Sequence, residues 1–369
     1  MIREEINEIK KQFNKDTNVI TKYAGCYVDA EKNIKFMTKD AFYSLPEEDA
    51  FKYEEIFRKT LSGAVGKSLI TLDFSIDEEG EDTPHAFLMK LRESRLDDEL
   101  ILDEFFRKVI DVYEYAENYY IILVDMMYDI PGKSSDKLAM EDASNEVYHG
   151  LLCSICPVTL SKPALSYFAN EGVIANRIRD WIVGMPMHGF LFPAFTDRTT
   201  DIHAALYFSK KNDALNESFI NEIIGVNPPM SSVMQKETFE AVLYDVLRDE
   251  LTMPVMSALS SNMLDLIAEN SQNPEPLVLT KNDMVKLISK SGVSDEAVES
   301  YEKSADADIE VLADNVVDTK KFEVKTPGIT VKTDTDSIEK LETRVIDGRK
   351  YLLVPIEDDV EVNGMPVKA

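Results

Sequence analysis

The feature that most constrains this chain is the apolar run NYYIILVDMMY at residues 118–128. A run of this length, rich in aromatic and β-branched residues, predicts a buried β-strand. Two amphipathic helical segments precede it, at roughly residues 85–112. No apolar run approaches the ~20 residues that a membrane-spanning helix needs. With 44% hydrophobic residues, the chain is expected to fold into a globular protein with a substantial core.

Helical and strand patterns alternate around this run. Ile2, Ile6, Ile9 and Phe13 lie at helical spacing and predict an amphipathic first helix. Residues 145–209 have the composition of further strands with irregular connections, and helical patterns follow them. Near the end of the chain, Asp-Gly and Asn-Gly pairs stand between strand-like runs, which is a strong signal of β-hairpins.

These patterns predict a mixed α+β fold. We expect an N-terminal α/β domain at residues 1–212, a helical segment at residues 213–272, and a small α+β C-terminal domain with β-hairpins at residues 273–369. The polar stretch SQNPEPL, which carries two prolines, is the predicted boundary before the last domain.

The charge and the cysteine content of the chain limit the ligands and the cellular compartment that suit it. The chain has 40 basic and 68 acidic residues, for a net charge of −28. Only a local basic patch would therefore attract phosphate. Three cysteines in 369 residues argue against a disulfide framework and favour a reducing cytoplasm. The charged start MIREEINEIKKQF does not read as a signal peptide.

Two of the three cysteines stand in the stretch HGLLCSICPV. His149, Cys153 and Cys156 would supply three zinc ligands, and the conceivable fourth ligands are distant in sequence: Cys26, His188 and His203. A redox pair needs its first cysteine at a helix N-terminus, whereas Pro157 argues that no helix continues there. The stretch is therefore interpreted as buried structural sulfur, and no cofactor is expected.

Two other segments imitate nucleotide-binding motifs. LSGAVGKS ends as a phosphate-binding loop does, but position 61 is Leu, and a helix precedes the segment where a strand is required. Asp125 follows the apolar residues IILV, an arrangement that resembles the apolar strand and magnesium-binding acid of a nucleotidase. Neither fragment carries the full motif, so the glycines Gly63 and Gly66 are assigned to a helix end and a turn.

The best candidate for a working surface is the segment from residue 161 to residue 211. It carries six basic and four acidic residues in an otherwise acidic chain, the only tryptophan, Trp181, lies beside Arg179 and Asp180, and phenylalanines interleave. Basic groups interleaved with aromatic rings suit a single-stranded nucleic acid or a phosphate-bearing ligand. The candidate nucleic-acid-binding residues are Arg177, Arg179, Trp181, Arg198, Lys210 and Lys211. The alternative is an internal network of Arg–Asp ion pairs.

Two further hypotheses belong to other functional classes. Asp197, Asp201 and His203 are candidates for a metal site or an acid/base pair, which would make the protein a metal-dependent enzyme such as a hydrolase. Residues 291–320 carry nine acids and two lysines. Such a run is most often a solvated face, but it would also suit a scaffold that docks a basic protein partner.

Several phrases of the sequence occur together in one family. AGCYVDAEKNIK, VYHGLLCSICPVTLSKPALSY, NRIRDWIVGMP and ETRVIDGRKYLLVPI resemble an uncharacterised family of Gram-positive anaerobes, catalogued as a domain of unknown function. This resemblance covers the whole chain and implies no activity.

A fainter resemblance covers residues 201–369. The order of helices and β-rich segments there is similar to the C-terminal half of NdpA-like bacterial nucleoid-associated proteins, which are likewise acidic. It implies a non-enzymatic cytoplasmic protein associated with the nucleoid or with another nucleic-acid assembly, with no membrane partner. No functional residue is carried over by this resemblance.

Overall fold

The computed structural model of the chain describes residues 1–17, 19–133, 139–140, 146–304, 307, 309–356, 360–362 and 365–367. The chain divides into two compact units, which we call unit 1 (Met1–Ser231) and unit 2 (Ser232–Ala369). The division of the chain at residues 212 and 272 stays a prediction.

Unit 1 combines a large sheet with helices. Its helices are α1 (Arg3–Lys11), α2 (Glu47–Thr60), α3 (Pro84–Glu93), α4 (Glu99–Val112) and the short α5 (Glu217–Phe219). Its strands are β1 (Ile20–Val28), β2 (Ile34–Ala41), β3 (Leu69–Asp73), β4 (Asn118–Ile130), β5 (Gly132–Lys133), β6 (Ala139–Met140), β7 (Glu146–Leu160), β8 (Leu165–Phe168), β9 (Val173–Asn176), β10 (Trp181–Val183), β11 (His188–Phe192), β12 (Ala194–Thr196), β13 (Thr199–Asp201) and β14 (Ala204–Ser209).

The main sheet of unit 1 has the strand order β2-β1-β4-β7-β11-β14-β3, and β10 also pairs with β7. Neighbouring strands in it run antiparallel. Each face is covered by helices: α3 and α4 contribute to the core on one face, and α1 and α2 to the core on the other. Alternate residues of β4 enter the two cores, which explains why residues 118–128 form a continuous apolar run.

Unit 2 has a helical core with paired strands. Its helices are α6 (Ser232–Leu247), α7 (Met253–Glu269), α8 (Lys281–Lys290), α9 (Asp295–Lys303) and α10 (Ala313–Val316). Its strands form the pairs β15 (Val278–Leu279) with β16 (Val311–Leu312), β17 (Lys321–Thr326) with β18 (Ile329–Asp334), β19 (Glu342–Ile346) with β20 (Arg349–Leu353), and β21 (Val360–Val362) with β22 (Met365–Val367).

The structure confirms the predicted mixed α+β fold and its C-terminal hairpins. Asp347 and Gly348 join β19 to β20 with φ angles of 49° and 75°, the left-handed values that an Asp-Gly hairpin turn adopts. The Asn-Gly pair at residues 363–364 lies outside the described residues, although the strands on both sides of it are paired. Within the described part of the chain, no helix has the length and apolar character required to cross a membrane.

Candidate functional site

Two of the five candidate basic residues, Arg177 and Arg179, lie with Trp181 on a hairpin that we call the arm, residues 161–185. The arm continues β7 through β8 and returns through β9 and β10, which pairs with the end of β7. Its neck is closed by backbone hydrogen bonds from Ser161 N to the oxygen of Asp180, at 2.9 Å, and from Arg177 N to the oxygen of Ala164, at 2.8 Å. The pairing of β7 with β4 ends at Val158, so the arm extends past this part of the sheet.

Arg177, Arg179 and Trp181 lie close together in sequence on the returning side of the arm. Both arginines are exposed, and Trp181 keeps 54% of its surface accessible. The Nε of Arg179 donates to the carbonyl oxygen of Ser161 at 2.7 Å, which anchors that side chain along the neck. Among the described residues, neither arginine forms a salt bridge, so both guanidinium charges remain available to an anionic ligand.

Lys210 and Lys211 lie next to the base of the arm. The backbone N–H of Lys210 donates to the oxygen of Met187 at 2.8 Å, just beyond the end of the arm. Both lysines are exposed. Burial, together with the charge of Lys211, lowers the pKa of nearby His188 to about 4. His188 is therefore neutral at pH 7, and its Nδ1 lies within hydrogen-bond distance of the hydroxyl of Tyr113, at 2.8 Å.

Arg198 occupies a different environment. It lies in the turn between β12 and β13, and its Nη2 contacts Oε1 of Glu8 at 2.8 Å and the oxygen of Pro131 at 3.0 Å. The preceding residue, Asp197, donates its backbone N–H to Glu5 of α1 at 2.6 Å. The half-buried ion pair between Arg198 and Glu8 therefore joins this turn to α1. It is the type of contact that the ion-pair alternative describes.

The candidate metal residues have protein partners. Asp201 accepts a hydrogen bond from the backbone N–H of His203 at 3.1 Å. The Nδ1 of His203 lies 2.6 Å from Glu79, and this hydrogen bond raises the pKa of His203. Across the ranges that the structure describes, no group of three or more His, Cys, Asp or Glu residues has an arrangement that would hold a metal ion.

The cysteines are buried, as the sequence predicts. Cys153 and Cys156 lie on β7 and enter the cores on opposite faces of the sheet, and Cys26 is also a free, buried thiol. Burial raises the pKa of all three thiols, to about 12 for Cys26. The thiolate form is therefore scarce at neutral pH, and the arrangement does not support redox chemistry at these residues.

We expect the native protein to show no fast reaction with an aromatic disulfide reagent at pH 8, because the reactive thiolate is suppressed and covered. In denaturant, all three cysteines of the chain should react. The absorbance of the released aromatic thiol measures the number of reactive cysteines in the native and in the denatured protein. One rapidly titrating thiol in the native state would contradict the structural role that we assign to these cysteines.

A buried polar cluster around Asp125 was not predicted from the sequence. Asp125 is fully buried within β4, where His149 Nε2 donates to it at 2.6 Å, Thr21 donates its hydroxyl, and Arg95 lies 3.7 Å away. Burial alone raises the pKa of Asp125, but the hydrogen bonds from His149 and Thr21 outweigh it and leave the pKa below its ordinary value. Arg92 donates to the carbonyl oxygen of His149 at 2.7 Å. The cluster joins the region between α3 and α4 to the sheet.

Comparison with known proteins gives a family without an assigned activity. No curated protein matches this chain. The model of one family, described as a domain of unknown function (DUF4317), matches residues 1–365, and the chain therefore belongs to that family.

Proposed function

We propose that this protein is a non-enzymatic, cytoplasmic protein that associates with nucleic acid through the basic strip of the arm. The strip consists of Arg177, Arg179 and Trp181, together with Lys210 and Lys211 beside the base of the arm. The observation that carries the proposal is a half-exposed tryptophan beside two exposed arginines that form no salt bridge with the described residues.

The residue types of the strip favour a single-stranded ligand. An exposed indole ring provides a stacking surface for a base, an interaction worth roughly 1–3 kcal/mol per base. Guanidinium groups bind phosphate through two parallel hydrogen bonds, and lysines add point charges. Two arginines beside one exposed aromatic ring, with two lysines next to the base of the arm, thus provide the local attraction that a chain of net charge −28 needs.

Arg198 is less suited to binding phosphate than the sequence alone predicts. Its guanidinium is held by Glu8 and Pro131, so a phosphate would have to displace a carboxylate that already satisfies it. The resemblance of residues 201–369 to NdpA-like nucleoid-associated proteins supports the nucleoid as the site of action, without identifying the nucleic acid.

The test is binding of fluorescent single-stranded and duplex DNA and RNA across a salt series. We expect the affinity of the native protein to fall linearly with salt on logarithmic axes, because cations on the arm displace counterions from phosphate. Arg177→Glu with Arg179→Glu should weaken binding at least about tenfold and reduce the slope by about 1.4–1.8, the share of two phosphate contacts.

The matched control is Arg107→Glu with Lys108→Glu. These two exposed cations on α4 have carboxylate partners on their own helix, and their reversal changes the net charge by the same amount. We expect their affinity and salt slope to stay close to those of the native protein. The proposal fails if the native protein does not bind at ~50 mM salt, where such contacts are strong, or if the arm variant and the control behave alike.

A further inference from the structure

One face of the arm is apolar and open. The pairing of Tyr167 with Ile174 and of Leu165 with Asn176 places these four side chains on the same face of the hairpin. Leu165 is 70% exposed, Tyr167 67% and Ile174 70%. Ile178, which follows β9, is also 70% exposed. Leu165, Tyr167 and Ile174, together with the neighbouring Ile178, form what we call the apolar face.

Such a face is costly in an isolated molecule. A two-stranded hairpin alone is marginally stable in water, and this one extends past the end of β4 with its large side chains uncovered. Contiguous apolar patches on soluble proteins commonly mark interaction sites, whereas scattered apolar residues do not. The clustering of four such side chains on one short hairpin therefore indicates that another surface covers them.

We propose that the apolar face is a dimer contact, in which two copies of this chain pack arm against arm about a two-fold axis. Taking 150–250 Å² as the full surface of a large side chain, the four residues expose roughly 500 Å² per copy. Two arms together bury about 1,000 Å², the lower limit for a specific interface. The expected dimer is therefore weak, with a dissociation constant on the order of micromolar.

Charge distribution along the arm favours a second copy as the partner. Glu171 lies at the tip, between β8 and β9, and Arg177 lies at the neck. When two arms pack antiparallel about a two-fold axis, the acidic tip of each lies toward the basic neck of the other. None of the four apolar-face residues carries a charge, so identical faces meet without like-charge repulsion.

Other partners fit these features less well. An anionic membrane would attract the arginines but would also repel Glu171, Asp180 and a chain whose net charge is −28. Nucleic acid is suited better to the basic strip than to the apolar face, because three of the four apolar-face residues are aliphatic and offer no stacking surface to a base.

The experiment is sedimentation equilibrium of the full chain without nucleic acid, from about 1 to 200 µM, a range that brackets a micromolar dissociation constant. We expect a monomer–dimer equilibrium within this concentration range, because the apolar faces of two copies cover each other. Ile174→Glu should raise the dissociation constant more than tenfold.

The matched control is Leu100→Glu, which places the same charge at an apolar residue of α4 that is 82% exposed. It should leave the dimer unchanged, and thermal unfolding should show that both variants fold. A native protein that stays monomeric at about 200 µM overturns the proposal. Equal effects of the two variants overturn it as well.

A parallel flotation assay uses vesicles of phosphatidylcholine with phosphatidylserine. Vesicle binding that Ile174→Glu abolishes, by a chain that is monomeric in solution, would assign the apolar face to a membrane instead. The dimer proposal does not rest on nucleic-acid binding, since Ile174→Glu leaves Arg177, Arg179 and Trp181 in place. Loss of the dimer and loss of nucleic-acid binding are therefore observed separately.

Discussion

Asp125→Ala is expected to lower the free energy of unfolding of unit 1 by about 3 kcal/mol, the upper end of the cost of leaving buried hydrogen-bonding groups without their partner. Asp125 is completely buried, and its carboxylate accepts hydrogen bonds from His149 and Thr21. The alanine variant leaves His149 Nε2 without its acceptor and Arg95 without its carboxylate partner, and Thr21 keeps only its hydrogen bond to the backbone oxygen of residue 125, at 3.3 Å. A buried network of this type loses more than the sum of its separate hydrogen bonds.

Urea-induced unfolding of the full chain, followed by hydrogen exchange in peptides from β4 and β7, measures this change. The matched control is Asp97→Ala, which removes another carboxylate near the same helices. Asp97 pairs with Lys22 at the surface, and its side chain is 69% exposed, so its loss should change stability little. Equal effects of the two substitutions would show that the Asp125 cluster adds nothing beyond an ordinary surface charge.

The contribution of Asp125 should also depend on pH in one direction. Because its pKa is lower in the folded protein than in the unfolded chain, the stabilisation is complete above the unfolded value of about 3.9 and is lost as the pH falls through the folded value. The difference between the native protein and Asp125→Asn is therefore expected to be constant above about pH 5 and to shrink below about pH 4. A difference that grows toward acid pH would contradict the charged state assigned to Asp125.

Elements encoded by local patterns were predictable from the sequence. Ile6, Ile9 and Phe13, three members of the stripe at helical spacing, are buried against the sheet as the periodicity predicts. The Asp-Gly pair at residues 347–348 turns the chain between two strands, because it tolerates the left-handed conformation that the turn requires. In each case, residues within a few positions of one another determine the structure.

Contacts between distant parts of the chain were not predictable in this way. Asp125 resembles a strand-terminal acid in the sequence, but β4 continues to Ile130, and only the pairing with β7 brings His149 to it. Arg198 and Glu8 are 190 residues apart, so no local pattern relates them. These contacts arise from strand order, which depends on how the whole of unit 1 packs.

The exposure of the arm could not be predicted from the sequence, for a related reason. The strands VIAN (β9) and LITLD (β3) have similar composition, yet all four residues of β9 are exposed while Leu69 and Leu72 of β3 are buried. A strand is covered when a helix or a neighbouring strand packs on it, and the sequence of the strand itself does not determine this. The apolar face is therefore visible only in the folded chain.

Gly189→Ala is expected to destabilise unit 1 by about 3 kcal/mol, at the upper end of the cost of overpacking a core. Gly189 lies in β11 between β7 and β14. An added Cβ would overlap the carbonyl oxygen of Cys153 and lie 2.7 Å from Cγ2 of Thr60 on α2. The overlap involves backbone, so a side-chain rotation cannot relieve it.

The same close approach supports the contact between α2 and the sheet. Thr60 and Ser154 share a hydrogen bond between their hydroxyl groups at 2.7 Å, and both side chains are buried. Moving α2 away to accommodate an alanine at position 189 would lengthen this bond and deprive the buried Ser154 hydroxyl of Thr60, whereas Thr60 would keep its hydrogen bond to the Ile56 oxygen at 3.1 Å. Because position 189 has no side chain, α2 can pack directly on β11 and on β7, the strand that carries both Cys153 and Ser154.

Thermal and urea unfolding of the full chain measure this effect against Gly80→Ala. At Gly80, the φ angle is −64°, and the nearest atom to an added Cβ lies at 3.4 Å, an ordinary contact. Alanine there should be neutral, or should stabilise the protein slightly by restricting the unfolded chain. Similar unfolding curves for the two variants would show that β11 and its neighbours shift easily to admit a side chain, whereas a large loss confined to Gly189→Ala would establish that β7 and α2 leave no room for one at this position.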